Sequence, residues 1–137
     1  MSYRLITENR GVFFHSTGDV NFKDIRRASA DGWEHRNCQN NIFQIWDYSE
    51  VTKFRMEQLE AILGSRMDNI AFSNIGHFTK IAIITDRLEI IEKYLIYRNY
   101  VDANLLDVEM FLNVEDARKW VAKRDNDNFY SGLEYQA

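Results

Sequence analysis

Hydrophobic and polar positions fall into alternating strand-like and helix-like periods along the chain. Tyr3 to Thr7 alternates loosely, as a short strand does. Glu8-Asn9-Arg10-Gly11 follows as a hairpin turn, with Asn9 or Gly11 suited to positive φ. Val12-Phe13-Phe14-His15 is the second strand, antiparallel to the first. Thr17-Gly18-Asp19 interrupts the pattern. Asn21 is placed to cap a helix reaching about Arg36, with Asp24 near its positive end and Phe22, Ile25, Ser29 and Trp33 on one face.

The next stretch organises the rest. Ile42-Phe43-Gln44-Ile45-Trp46 is β-branched and aromatic, and suits a buried strand. Asp47-Tyr48-Ser49-Glu50 reads as a polar turn. A helix follows, with Met56, Leu59, Leu63, Met67 and Ile70 near one face. Phe72 to Phe78 is a loop with apolar contents. Lys80 to Thr85, KIAIIT, is a near-continuous apolar run of the kind found in central parallel strands covered on both faces. Asp86 is placed to cap a helix from Arg87 to about Asn99, supported by Glu89 and Lys93 at i,i+4. This helix has two apolar faces: Leu88, Ile91 and Leu95 on one, Ile90, Tyr94 and Tyr97 on the other. Val108 to Leu112 is the last strand. Asn113 caps a final helix containing Val114, Ala117, Trp120 and Val121.

The order β-β-α-β-α-β-α-β-α predicts an α/β fold with packed helices on a mostly parallel, mixed sheet. The 137 residues suit one domain, over 1–124, with a polar and aromatic tail over 125–137 that carries Phe129, Tyr130, Leu133 and Tyr135. With 45% hydrophobic residues there is material for a core. The net charge of −4 and the scattered basic residues argue against a nucleic-acid reader. A single cysteine, Cys38, excludes an internal disulfide and cysteine-based zinc sites. No leader or membrane-length apolar run is present, so the expected location is the cytoplasm.

The candidate chemistry is thin. His15, His35 and His77 lack metal-ligand spacing, and Ser49 with His77 makes no supported triad. Asp47, Glu50 and Glu57 place three carboxylates around one predicted turn, where capping and solvation are the favoured reading over metal or acid–base work. No glycine-rich phosphate loop occurs. The expectation is therefore no metal, no cofactor and no catalysis. In open α/β sheets the functional surface lies where strands give way to helices. That points to a protein-partner surface at Asp47, Tyr48, Ser49, Glu50, Arg55, Glu57 and Gln58.

Phe43 to Thr52, FQIWDYSEVT, resembles the third-strand motif of STAS domains, the anti-sigma-factor-antagonist fold. Leu59 to Gly64 continues the likeness. His77 to Asp86 and the pair Val108–Phe111 and Glu115–Val121 are similar to later elements of the SpoIIAA-like branch, also labelled STAS/SEC14-like. The likeness spans about residues 3–124. It implies a non-catalytic regulatory or binding module. The family's switchable members carry a phosphorylatable serine in an Asp-Ser-Ser-Gly or Asp-Ser-Thr-Gly turn. This chain has Arg55-Met56-Glu57-Gln58 there, so a phosphate switch is not expected.

The SEC14-like label implies an alternative, a carrier or sensor of a lipid or other apolar small molecule with peripheral membrane contact. Its residues would be Met56, Leu63, Met67, Ile70, Phe72 and Phe78, with Ile75 beside them. A hydrolase is the third and weakest reading. The apolar excess of the third helix and the aromatic tail also suit a homodimer contact.

Overall fold

A computed structural model describes residues 2–34 and 40–123. Cys38, His35 and the 125–137 tail lie outside the described residues. Among the described residues nine elements occur in the expected order: β1 (Ser2–Glu8), β2 (Gly11–Asn21), α1 (Phe22–Trp33), β3 (Phe43–Arg55), α2 (Gln58–Ser73), β4 (Thr79–Ile84), α3 (Leu88–Tyr100), β5 (Leu106–Phe111) and α4 (Val114–Ala122). The sheet order is β1-β2-β3-β4-β5. β1 and β2 are antiparallel, and the other three pairs are parallel.

The sheet is buried on both faces, but unequally. Val12, Phe14, Trp46, Tyr48, Ile81 and Ile83 face α1, α2 and α3 in the larger core. Phe13, Ile45, Ala82 and Ile84 point the other way, under Ala117 and Val121 of α4. β4 is buried at every position, as its apolar run predicts. Its one charge, Lys80, has a partner that the sequence does not reveal. The ammonium donates to the carbonyls of Lys123, at 2.6 Å, and Trp120, at 3.2 Å, so it closes the end of α4. A cation suits a helix C-terminus, where carbonyls lack intrahelical partners.

Asn21 caps α1 with a reciprocal bond to Asp24, and Asn113 caps α4 through Asp116 N. Other local readings need correction. In the β1–β2 turn the positive φ belongs to Arg10, at 65°, and not to Asn9 or Gly11. Asp86 does not cap α3. Thr85 Oγ1 accepts from Arg87 N at 3.0 Å, and Glu89 pairs with Arg87, not with Lys93.

β2 and β3 depart most from expectation. Thr17-Gly18-Asp19 does not end β2, and Asp47-Tyr48-Ser49-Glu50 is strand, not turn. Each segment supplies the other's ladder, which neither could show by itself. β4 pairs with β3 only as far as Asp47. Thr17 still pairs with Ser2 of β1 as well as with Glu50; beyond it, Gly18–Asn21 and Val51–Arg55 continue as a two-stranded ribbon past the sheet.

Candidate functional site

The ribbon leads into α2, so the strand-to-helix junction sits at Met56 and Glu57, well past the predicted turn. Glu57 is the N-cap residue, and its N–H donates to Glu60 Oε1 at 2.9 Å. Arg55 Nε donates to Asp19 Oδ1 at 2.9 Å across the ribbon. Ser49, Glu50, Arg55, Glu57 and Gln58 are exposed. Asp47 and Tyr48 are buried and cannot belong to an open docking surface.

α2 is turned over relative to its apolar pattern. It buries Ala61, Gly64, Ser65, Asp68 and Phe72. Its large aliphatic side chains point outward: Leu59 is 75% exposed, Leu63 52%, Met67 39% and Ile70 70%. Small residues face inward because the helix lies close over its neighbours. A Cβ on Gly64 would stand 3.2 Å from the Phe22 ring. The six residues expected around an apolar ligand therefore do not meet. Phe72 is in the core, Phe78 is half-buried beyond the helix end, and Leu63, Met67 and Ile70 are on the outside.

Of that set, Met56 lines a cavity between α1, α2, α3 and the sheet, and Phe72 lines a separate one of about 10 Å³ beside Trp33 and Ile75. The first cavity is about 30 Å³, bounded also by Arg26, Trp46, Asp68 and Tyr94. Its polar wall is a network spread over four elements. Arg26 Nη1 donates to Asp68 Oδ1 at 2.9 Å, and Tyr97 OH donates to Asp68 Oδ2 at 2.5 Å. The Tyr48 and Tyr94 hydroxyls are 2.5 Å apart.

Burial pushes the phenols of Tyr48, Tyr94 and Tyr97 above the ordinary tyrosine range, and the Asp68 carboxylate raises them further. Such a group stays neutral in the fold while it ionises near pH 10 in the unfolded chain. Unfolding then releases protons, so stability falls as pH rises past about 10. An absorbance titration should show these three tyrosines silent until the protein unfolds, and the urea midpoint should drop over the same pH range. Ionisation of all seven tyrosines in one step while the fold persists would contradict it.

The other face of the sheet holds a cluster that sequence spacing does not announce. His15 Nδ1 lies 3.2 Å from Asp47 Oδ2, and its Nε2 lies 3.1 Å from Glu50 Oε2. Residues three apart on a regular strand point to opposite faces. Here the β2–β3 register slips between His15 and Thr17, which pair with Asp47 and Glu50. The extra residue in β3 is a bulge, and bulges re-aim side chains. It brings both carboxylates to His15. Glu57 is not among them, and His77, on the loop before β4, contacts the Phe78 carbonyl instead. Among the described residues, no group of three histidine, cysteine or acidic side chains, this one included, is arranged to hold a metal ion.

No protein-family model matches this chain, and no curated protein does. Solved structures do. The anti-sigma factor antagonist SpoIIAA in its unphosphorylated form superposes with a TM-score of 0.55 at 12% identity, over 86% of this chain and 94% of that one. The Bacillus cell fate determinant SpoIIAA in the phosphorylated form gives 0.50 at 11% identity, over 88% and 99%. With this topology and these superpositions, the chain has the SpoIIAA-like STAS fold.

Proposed function

We propose that this protein is a non-catalytic binding module, and that a protein partner docks on the outward stripe of α2 together with Arg55, Glu57 and Gln58 at its start. The observation that supports this is the exposure of Leu59, Leu63, Met67 and Ile70 on one helix. Large apolar side chains grouped on a surface mark contact sites. The likeness to an anti-sigma factor antagonist agrees with a regulatory role. Arg55-Met56-Glu57-Gln58 offers no hydroxyl, so docking here runs without a phosphate switch at the helix start.

Leu63→Glu and Ile70→Glu are expected to weaken partner binding by about 2 kcal/mol each, roughly thirtyfold. Stability should move by less than about 0.5 kcal/mol, because both side chains face water. A photo-crosslinker at position 63 in cells should capture the partner, or a second copy if the face self-associates. A crosslinker at Glu115 on α4 should not. Capture from position 115 and none from 63 would overturn the reading.

The apolar-carrier reading ranks below it. A 30 Å³ cavity is the size of about one water, and cavities that take benzene are nearer ~150 Å³. A lipid tail would require α2 to leave the sheet. Among the described residues, no helix is long and apolar enough to cross a membrane.

A further inference from the structure

We infer that His15 is a pH-dependent clamp that fastens the base of the β2–β3 ribbon to the sheet through Glu50. The claim starts from donor and acceptor arithmetic. An ionised carboxylate only accepts hydrogen bonds, and a neutral imidazole has one donor nitrogen. His15 presents both ring nitrogens to carboxylate oxygens, at 3.2 and 3.1 Å. Only the imidazolium satisfies both contacts. The neutral ring satisfies one and sets a lone pair against the other oxygen.

The two carboxylates are not equivalent. Asp47 is buried, and its Oδ1 accepts from Ser49 N at 2.9 Å, so it stays in place. The Glu50 side chain is 65% exposed and is free to swing into water. Loss of the second proton therefore releases Glu50 and leaves His15 on Asp47. The bulge makes this possible, because without it Glu50 would face the opposite side of the sheet.

Other charges facing His15 are few. Arg4 of β1 is its direct cross-strand partner and lines the same open depression, with Tyr3, Thr17 and Glu50. Farther along β1, Glu8 is already engaged by Arg118 of α4. Tyr3 is bound to Asp31 of α1. Arg4 thus places a guanidinium in the depression that Glu50 lines, and its removal is the control for the clamp.

The ribbon residues beyond Asp47 pair with β2 alone. Their attachment is therefore where a gained or lost side-chain bond shows. The inference does not depend on the docking reading, and its test needs no partner.

Amide hydrogen exchange of Ser49 to Lys53, corrected for intrinsic rates, should be about two- to fivefold slower at about pH 5.5 than at about pH 8. His15→Gln and Glu50→Gln should both abolish that difference. Arg4→Gln should preserve it. Equal protection at the two pH values in the unaltered protein, or a pH difference that survives in His15→Gln, would overturn the clamp. Its loss in Arg4→Gln with retention in Glu50→Gln would do the same.

Discussion

Phe14→Ala is expected to lower the unfolding free energy by about 4 kcal/mol, the largest loss foreseen for a single substitution here. Phe14 is fully buried on β2. Its ring stacks on Trp46 with centroids 3.9 Å apart and planes 12° from parallel. Its far edge is fitted to Gly32 of α1, where a Cβ would come within 2.8 Å of Phe14 Cζ. Truncation removes the transfer energy of the ring and leaves a void. The sheet backbone and a helix held at its glycine cannot collapse into that void easily. A urea titration should show a lower midpoint with an unchanged slope. A loss below about 1.5 kcal/mol would mean that α1 can settle onto the sheet when the ring is gone. Gly32→Ala probes the same contact from the other side. It overpacks the site and should cost about 1–3 kcal/mol.

Asp68→Ala is expected to cost about 3 kcal/mol. The carboxylate joins Arg26 of α1 to Tyr97 of α3, with 11% of its side chain exposed against 21% for Arg26. The loss is not the strength of the pair, since burying two charges offsets much of their attraction. It comes from what the substitution leaves behind: a guanidinium largely out of water and a phenol without its acceptor. Arg26→Met with Asp68→Leu removes both charges and should recover most of the stability. Thermal or urea unfolding of Arg26→Met, Asp68→Leu and the pair forms a double-mutant cycle. If Asp68→Ala costs less than about 1 kcal/mol, water reaches the network and the cavity beside it is open.

The difference between these two positions shows what sequence patterns carry. Phe14 lies in a short run of large apolar residues, and its burial follows from that run. Asp68 lies in a helix whose apolar positions suggest another inner face. A helical period identifies which residues share a side, but not which side meets the core. In α2 the choice went to Ala61, Gly64, Ser65 and Asp68, because small residues allow close approach and partners from α1 and α3 satisfy the acid. In α3 the pattern offered two faces. The structure buries Ile90, Tyr94 and Tyr97 and leaves Leu88 and Leu95 exposed. The tyrosines win because Tyr48 of β3 and Asp68 of α2 supply hydrogen-bond partners for their hydroxyls there.

Element order, the caps at Asn21 and Asn113, the two-sided burial of β4 and the fold class were determined by the sequence itself. They rest on local rules: period, β-branched content and short polar side chains that bond their own backbone. Tertiary structure alone decided that Asp47 to Glu50 is strand, that α2 turns its aliphatic residues outward, and that His15 meets two carboxylates. Each depends on a partner distant in sequence. A ladder, a buried ion pair and a bulge-directed contact have no signature until both halves are brought together.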